Sequence, residues 1–451
     1  MDPLLFAVAG QVVFKASTEP QSYEVQAVPA QPLFLGYPHG PKTAEFVPNG
    51  RQTRSQLATF DGQIEGTIQT SADAWTMSST SKALASTFGG AVTPGDDAVY
   101  DREGDWLLVF SAKGVSLRKV PGGYRVVTTG GKVQVKLYEN YYRDHLGYFL
   151  WDKKKPLWTK PVMGWCSWMA HLQDVTEQHM ADASAFFSKH LKAYGYDTVQ
   201  MDDGYQRVPQ MDSTGYKTTE PVADLWTKAN SKFPSGLQSL AQKIKNDGMT
   251  PGIWVGLYLP LSPSVPRYVN GPDGQPLRGP WVNYAVDGMD DQALQAGYLD
   301  TFKTLKHQGW DYIKVDTLRH VLYDNYRKTP GYFQAKNESM ETAYRRMLSK
   351  IKDVWGKDVY LLACWGTIPE LAGIPDGCRI GEDVGPDVAS MRRTAKYIAQ
   401  FHYLNNVVWH NDPDYMCLRV GVDQARAWAS LIALTGCQTM VSDPLDTYTE
   451  E

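Results

Sequence analysis

The sequence has few cysteines, no long apolar run and no large excess of either charge. Its five cysteines form neither a disulfide framework nor a CxxC zinc pattern; they are Cys166, Cys364, Cys378, Cys417 and Cys437. No uninterrupted apolar stretch reaches the roughly 18–20 residues that a membrane-spanning helix needs. Lys and Arg total 45 and Asp and Glu total 49, for a net charge of −4. That balance argues against a nucleic-acid or membrane partner.

What the sequence does have is a globular composition with many aromatic residues. Of its 451 residues, 43% are hydrophobic and 12% are aromatic, including 14 Trp and 26 Tyr. Such rings suit stacking against sugar faces, and an ordinary aromatic-rich core explains them equally well. The opening residues 1–10 lack the basic segment of an export signal, so no signal peptide is visible. The compartment and the oligomeric state, including a homo-oligomer, stay open.

Residues 1–155 predict an N-terminal β-sandwich domain. Short runs of alternating apolar and polar residues are separated by Gly, Pro, Asp and Ser, as in strands joined by turns. The clearest runs are Tyr23–Val28, Trp106–Phe110, Tyr124–Thr128 and Val133–Tyr138. The polar segment 151–156 ends in Pro156 and predicts a linker.

Residues 156–451 predict an α/β fold, a (β/α)8 TIM barrel, because strand-like apolar runs alternate with amphipathic helical stretches. The predicted strands are Val162–Trp168, Tyr196–Asp203, Met249–Leu257, Tyr312–Asp316, Val359–Trp365, Arg379–Asp383, Asn405–His410 and Gln438–Ser442. The predicted helices include Val175–Tyr194, Gly236–Asp247, Gln292–Gln308, Glu338–Val354 and Asp423–Leu434. No GxGxxG or GxxxxGK[ST] motif follows the first strand, which disfavours a dinucleotide fold or a P-loop.

Little sequence follows the eighth predicted strand, which ends near Asp443. We therefore expect that the barrel is truncated at its C-terminal end. The complete protein would continue with a closing helix and a β-domain.

Acidic residues recur at the ends of the predicted strands, where TIM barrels carry their reacting groups. Asp202 and Asp203 end the second strand, Asp316 the fourth and Asp383 the sixth, and the seventh runs into residues 411–414. Each acid alone is equally well explained as a cap of the following helix. Together they predict a site for a polyhydroxylated substrate and a two-carboxylate mechanism.

Physical chemistry suggests a role for each of these groups. Asp316 lies on the same strand face as Lys314, which would keep it ionised as a nucleophile. Asp383 then suits the acid/base, and Arg379 either binds the sugar or orients a carboxylate. Asp202 and Asp203 would accept hydrogen bonds from sugar hydroxyls. Trp165 and Trp254 would form an apolar wall, with core packing as an equal alternative.

Six motifs resemble the clan of retaining α-galactosidases and α-N-acetylgalactosaminidases, glycoside hydrolase families 27 and 36, with family 36 closer. They occur in the clan's order between about residues 161 and 443: Gly164–Trp168, Asp202–Tyr205, Tyr312–Asp316, Cys364–Gly366, Arg379–Asp383 and Asn411–Asp414. The resemblance implies a barrel, an N-terminal β-sandwich and cleavage of terminal α-galactosyl or α-N-acetylgalactosaminyl residues. It also implies a nucleophile at Asp316, an acid/base at Asp383 and sugar contacts from Asp202, Asp203, Lys314 and Arg379.

The sequence departs from the clan where the sugar's 2-position is read. Many family 27 members carry a Glu between the residues matching Cys364 and Trp365, and here the two are adjacent. We therefore include Cys364 and Trp365 in the predicted sugar site and leave galactose and N-acetylgalactosamine open. Cys364 and Cys378 lie in a region that the clan sometimes bridges, but free thiols are the default here.

Three alternatives remain open at this point. The Gly164–Trp168 motif is also similar to raffinose synthases, which transfer galactose to another sugar. An α-glucosidase relative and a catalytically inactive, carbohydrate-binding barrel are the others. We expect no metal or other cofactor, and interpret His410 as a hydrogen-bonded barrel histidine. The expected partner is an oligosaccharide or glycoconjugate with a terminal α-linked galacto-configured sugar.

Overall fold

A computed structural model describes residues 4–8, 11–16, 22–29, 33–34, 45–46, 52–72, 74–77, 97–101, 103–139, 158–206, 222–257, 259–279, 283–338, 340–364, 371, 373–406 and 408–449. The chain divides into two compact units, Met1–Pro156 and Leu157–Glu451. The sequence predicts this boundary one residue earlier. The predicted linker, residues 151–156, lies outside the described residues.

The first unit contains antiparallel sheets. Its strands are β1 (Leu4–Val8), β2 (Gln11–Ala16), β3 (Ser22–Pro29), β4 (Leu33–Phe34), β5 (Glu45–Phe46), β6 (Gln52–Asp61), β7 (Glu65–Gln69), β8 (Ala74–Met77), β9 (Ala98–Asp101), β10 (Trp106–Ser111), β11 (Ser116–Val120), β12 (Gly123–Val127) and β13 (Lys132–Glu139). One sheet has the order β1-β2-β7-β12-β11, a second has the order β3-β6-β13-β10-β9-β8, and β4 pairs with β5.

The two larger sheets share one apolar core. In β13, Val133, Val135 and Leu137 are fully buried and alternate with more exposed neighbours. Tyr124 and Val126 of the other sheet belong to the same buried cluster. This alternation follows from the two-residue period of a strand with one face against a core.

The second unit is built on a parallel sheet. Its strands are β14 (Met163–Cys166), β15 (Thr198–Met201), β16 (Thr250–Gly256), β17 (Tyr312–Asp316), β18 (Tyr360–Ala363), β19 (Gly377–Arg379), β20 (His410–Asp412), β21 (Tyr415–Met416) and β22 (Thr439–Val441). β14 to β20 pair in chain order, β22 pairs with β14, and β21 pairs with β22. Only Pro413 and Asp414 separate β20 from β21, so the chain itself links the two ends of this curled sheet.

Helices connect the parallel strands. The α-helices are Trp168–His171, Glu177–His190, Val222–Thr227, Gly236–Asn246, Asp291–Leu294, Asp300–His307, Leu318–His320, Pro330–Ala335, Met340–Trp355, Val388–Phe401 and Val422–Thr435. A π-helical turn, Gln295–Leu299, joins the two parts of one predicted helix, and another spans Val321–Asn325. Short 3₁₀ turns span Leu172–Asp174, Lys192–Tyr194, Tyr326–Lys328, His402–Leu404, Leu418–Val420 and Leu445–Thr447. Over the described residues, no helix is long and apolar enough to cross a membrane.

Two strand predictions were displaced along the chain. The sixth strand is Gly377–Arg379 instead of Arg379–Asp383, and the seventh begins at His410, where the predicted strand ends. A 3₁₀ turn and the left-handed Asn406, at φ 58°, precede β20 and interrupt extended structure there. The first displacement matters for the site, because Arg379 ends a strand while Asp383 lies in the loop beyond it.

Gly164 allows β14 to approach β15 closely. A Cβ atom at this position would lie 2.0 Å from the carbonyl oxygen of Thr198, its register partner. Gly331, in the helix Pro330–Ala335, offers a matched comparison because a Cβ there meets no atom within 4 Å.

We expect Gly164→Ala to lower the free energy of unfolding by at least about 1–3 kcal/mol, because the backbones of β14 and β15 must separate. Gly331→Ala should leave stability unchanged or raise it by about 0.4–1 kcal/mol, since alanine restricts the unfolded chain. Urea unfolding of the wild-type protein and both variants checks this. Equal stability of the two variants would contradict the expectation.

Candidate active site

The predicted site residues gather at the C-terminal edge of the parallel sheet, which we call the mouth. Asp202 directly follows β15, Asp316 ends β17, Cys364 directly follows β18 and Arg379 ends β19. These strands are neighbours in the sheet with β16 between the first two. Because the strands are parallel, their carboxyl ends meet at one edge, as barrel enzymes require of their reacting groups.

A buried ion pair lies beneath the mouth. Lys314 Nζ is 2.9 Å from Asp202 Oδ2, and the two side chains are 7% and 4% exposed. Burial by itself lowers the pKa of Lys314, but the Asp202 carboxylate together with Cys364 and Cys166 outweighs it and leaves this pKa well above its usual value. Asp202 Oδ2 also accepts from Gln200 Nε2 at 2.6 Å, and the Asp202 N–H donates to Ser167 Oγ at 2.9 Å.

This pairing corrects the predicted contact between Lys314 and Asp316. The two residues share a strand face, but the ammonium group of Lys314 pairs with Asp202. Asp202 is the more deeply buried carboxylate, whereas Asp316 is partly exposed. A counter-ion therefore offsets a larger desolvation penalty at Asp202 than it would at Asp316.

Two N–H donors hold the carboxylate of Asp316. Oδ2 accepts from the indole Nε1 of Trp254 at 2.9 Å, and Oδ1 accepts from the backbone N–H of Thr317 at 2.5 Å. Thr317 has a φ of 63°, which is strained for a β-branched residue. Its hydroxyl accepts from Leu257 N at 3.0 Å, which helps to hold that conformation. Strain of this kind is concentrated at functional sites in proteins.

Arg379 contacts the side chains of two aspartates. Its Nη2 lies 2.6 Å from Asp383 Oδ1 and 2.6 Å from Asp414 Oδ2. The guanidinium and Asp414 are buried at 1% and 4% exposure, whereas the Asp383 side chain is 48% exposed. Of the two roles predicted for Arg379, the observed contact is the orientation of a carboxylate.

Cys364 directly follows β18, which lies in the sheet between β17 and β19. Burial raises the pKa of its thiol, and the Asp316 carboxylate raises it further, while Arg379 and Lys314 oppose this effect; the Asp383 carboxylate also raises it. Arg379 Nη1 donates to Cys364 Sγ at 3.6 Å. Asp316 ends β17 and Asp383 follows β19, the two strands that flank β18, and neither side chain is sealed beneath the mouth.

Asp203 faces a different environment from its neighbour Asp202. Its Oδ2 accepts from Gln173 Nε2 at 2.8 Å, and its Oδ1 accepts from Gln206 Nε2. Burial raises the pKa of Asp203, and these two amide hydrogen bonds oppose the rise. The two adjacent aspartates therefore have different partners. Asp202 pairs with Lys314, and Asp203 accepts hydrogen bonds from the side-chain amides of Gln173 and Gln206.

The three predicted tryptophans have different outcomes. Trp165 is fully buried, and its Nε1 donates to the backbone oxygen of Asp443 at 2.9 Å, which matches the core-packing alternative given for it. Trp254 is 3% exposed and its N–H contacts the Asp316 carboxylate, so its observed contact is with a candidate catalytic group. Trp365 lies outside the described residues.

The thiols and His410 match their predicted states. All five cysteines are free and buried, so Cys364 and Cys378 do not form a disulfide. His410 Nδ1 lies 2.6 Å from Asn406 Oδ1, and Nε2 lies 2.9 Å from the backbone oxygen of Trp158. Within the described part of the chain, no group of three or more His, Cys, Asp or Glu could hold a metal ion.

Asp414 is the residue that the sequence interpretation missed. It lies in the Asn411–Asp414 motif, but we expected no specific role for it. Its signal was an aspartate directly after a proline at a strand end, a position that a helix cap explains equally well. Only the fold brings it to Arg379.

Comparison with known proteins gives a fold likeness and a short sequence match. No family model matches the chain. It is 34% identical over 95 residues to a probable α-galactosidase B of Talaromyces emersonii, a match covering 21% of this chain and 19% of that protein. It is 30% identical over 96 residues to α-galactosidase mel1 of Schizosaccharomyces pombe, covering 21% and 20%. The match therefore spans about a fifth of each curated relative.

Solved structures share the fold more widely. An α-galactosidase from Thermus thermophilus in complex with p-nitrophenyl α-D-galactopyranoside has a TM-score of 0.53 and 17% identity over 100% of this chain and 92% of that one. The same protein with stachyose has a TM-score of 0.51 and 19% identity over 89% and 95%. A family 27 β-L-arabinopyranosidase from Geobacillus stearothermophilus has a TM-score of 0.53 and 19% identity over 64% and 73%.

These likenesses show the α/β fold with a curled parallel sheet that the α-galactosidase resemblance implied, but they do not confirm the N-terminal β-sandwich. The Geobacillus stearothermophilus β-L-arabinopyranosidase belongs to family 27, so the expected closeness to family 36 is not confirmed.

The pKa of Asp414 gives the site a testable pH dependence. Burial raises this pKa to about 8, with Asp383 and Asp412 adding to the rise and Arg379 and Lys314 opposing it. The folded protein thus keeps this proton up to about pH 8, whereas the unfolded chain loses it near its ordinary pKa of 3.8. The associated stability is present at low pH and is lost as the pH rises through about 8.

We expect that Asp414→Asn, which cannot ionise, removes this component. Between about pH 5 and about pH 9, wild-type protein should lose more unfolding free energy than the variant. Urea unfolding at several pH values checks this. Parallel pH profiles of the two proteins would contradict it.

Proposed function

We propose that this protein is a retaining glycoside hydrolase that removes terminal α-linked galactosyl or N-acetylgalactosaminyl residues. We also interpret the unit Leu157–Glu451 as a (β/α)8 barrel with a divided seventh strand, and Met1–Pro156 as a β-sandwich. The observation that carries the proposal is geometric: Asp316 ends β17 and Asp383, held by Arg379, follows β19, so the two groups flank the end of β18 at the mouth of the sheet. A two-carboxylate mechanism needs such groups around one sugar ring.

Each carboxylate has a proposed role. The carboxylate of Asp316 attacks the anomeric carbon while the carboxyl group of Asp383 donates its proton to the departing glycosidic oxygen. A covalent glycosyl-Asp316 intermediate forms and the aglycone leaves. Asp383 then takes a proton from water, which attacks the anomeric carbon and releases Asp316. A retaining enzyme needs a carboxyl separation of roughly 5–5.5 Å for these steps.

The contacts of each carboxylate support this division. Asp316 accepts from two N–H groups, one at each oxygen, which fix the orientation of its carboxyl group at the mouth. Asp383 is about half exposed and held by Arg379, so it can reach a leaving group from the solvent side of the mouth. Lys314 and Asp202 form a charged floor, and Asp203 adds carboxylate oxygens for ring hydroxyls.

The similar proteins guide the choice of substrates to test. Three are named as α-galactosidases, one of them as a probable one, and that of Thermus thermophilus was solved with stachyose and with a p-nitrophenyl α-galactoside. The fourth is a β-L-arabinopyranosidase. L-Arabinopyranose has the ring hydroxyl configuration of D-galactose without its hydroxymethyl group, so an aryl β-L-arabinopyranoside is a useful second substrate.

We expect the wild-type protein to release p-nitrophenol from the α-D-galactopyranoside faster than from the α-D-glucopyranoside. Asp316→Asn should lower kcat by more than about 10³-fold, because it removes the nucleophile. Asp383→Asn should lower it by about 10²–10⁴-fold for substrates that need protonation. Release of p-nitrophenol measures the first two, and release of galactose from methyl α-galactoside measures the third.

The matched control is Asp311→Asn. Asp311 directly precedes β17, at the end opposite Asp316, and pairs with Lys245 at 2.7 Å near the surface. Its kcat should equal that of the wild type. Binding of galactose by a wild-type protein that never turns over would instead favour the inactive, carbohydrate-binding barrel.

Retention and the acceptor are tested separately. Proton NMR of the first product should show the α-anomer of the sugar before it equilibrates. Asp383→Ala with added azide should form the α-galactosyl azide, because azide needs no general base. If an added sugar acceptor receives most of the galactose at the expense of water, the protein is a galactosyltransferase instead, and mass spectrometry of the products decides this.

A further inference from the structure

We propose that Asp414 is a positioning residue that fixes the loop carrying Asp383. This inference rests on the proposed function, because it concerns the acid/base role of Asp383. Asp414 is not proposed to touch the substrate, since its side chain is only 4% exposed.

One oxygen of Asp414 binds both sides of that loop. Asp414 Oδ2 lies 2.6 Å from Arg379 Nη2 and accepts from the backbone N–H of Val384 at 2.8 Å. Arg379 is the last residue of β19, and Val384 directly follows Asp383. The segment that bears Asp383 is therefore held at its start by a side chain and at its end by the main chain.

Arg379 carries the same constraint to the carboxyl group itself. Its Nη2 has two hydrogens, and the structure places Asp383 Oδ1 and Asp414 Oδ2 at 2.6 Å each. Asp414 thus sets the orientation of the guanidinium that contacts Asp383. Without Asp414, both the backbone beyond Asp383 and the orientation of Arg379 lose a fixed point.

The backbone around Asp414 is adapted to this contact. Its φ is 72°, in the left-handed region that Asp tolerates better than most residues. Its N–H donates to Asp412 Oδ1 at 2.9 Å, and Ile380 N donates to the backbone oxygen of Asp412 at 2.9 Å. Strand β20 and the loop after β19 are thereby joined by both backbone and side chain.

A positioning role predicts a loss that depends on the leaving group. A 2,4-dinitrophenolate leaves without protonation, whereas methanol must be protonated as it leaves. We expect Asp414→Gly, which suits the positive φ and removes the carboxyl group, to lower kcat/KM for methyl α-galactoside about tenfold more than kcat/KM for 2,4-dinitrophenyl α-galactoside. We compare kcat/KM because it reports the step in which the leaving group departs and not the later attack of water, which is common to both substrates. Asp383→Asn should show a larger split in the same direction.

The variant Asp414→Asn tests whether Asp414 acts through its hydrogen bonds or through a negative charge. Asp414→Asn keeps an oxygen that can accept from Val384 N and Arg379, so it should restore most of the kcat/KM that Asp414→Gly loses on the methyl glycoside. If Asp414→Gly does not fold, Asp414→Ser replaces it, because the serine side chain is shorter by one bond and its hydroxyl cannot reach Arg379 and Val384 N together. Circular dichroism establishes folding before the assays.

Asp443→Ala controls for general destabilisation. Asp443 is a buried aspartate that accepts from a backbone N–H, that of Leu418 at 2.6 Å, and pairs with Arg419 at 2.8 Å. It offers the same type of contact without a contact to Asp383. The Asp443→Ala variant should lose the same fraction of kcat/KM on methyl α-galactoside and on 2,4-dinitrophenyl α-galactoside.

Two results would overturn the inference while leaving the proposed function intact. One is an equal loss of activity on both substrates in Asp414→Gly. The other is an Asp414→Asn variant whose losses on the two substrates differ as much as those of Asp414→Gly. A wild-type protein with no activity on either galactoside would overturn the proposed function and this inference with it.

Discussion

A buried guanidinium is the interaction on which the mouth of the sheet depends. Arg379 is 1% exposed, and a cation in that position is tolerated only with close counter-charges. Its fork of N–H groups meets Asp383, Asp414 and the Cys364 thiol, which come from three different connections of the sheet. A planar, rigid fork can hold three directions at once, which a flexible ammonium group does less well.

The two cations of the site have different consequences for the carboxylates they contact. The Lys314–Asp202 pair is almost wholly buried, so its attraction is weakly screened and both partners stay in place. Asp383 shares Arg379 with a buried partner but is itself about half exposed. A carboxylate sealed with its counter-ion is suited to shaping a floor, and one that reaches solvent is suited to exchanging protons. This contrast supports the proposed division of roles more than the number of acids does.

The fold likeness at 17–19% identity fits this physical picture. Buried, hydrophobic strands of suitable size are enough to specify a parallel sheet, and many sequences satisfy that requirement. Chemistry depends on a few polar side chains at the strand ends, and a shared fold does not supply them. The contacts of Asp316, Asp383 and Arg379 therefore carry the proposed function, and the similar proteins guide only the choice of sugar.

By itself, the sequence determined the strand β17 to the residue and placed the helix Gly236–Asn246 within one residue, because hydrophobic periodicity is a local property. It also identified the acids that follow the strands. It could not determine the partner of Lys314, the burial of Trp165 or the role of Asp414. Each of these depends on which strand ends meet across the sheet and how deeply each group is buried. Those distances join residues far apart along the chain, so only the tertiary structure decided them.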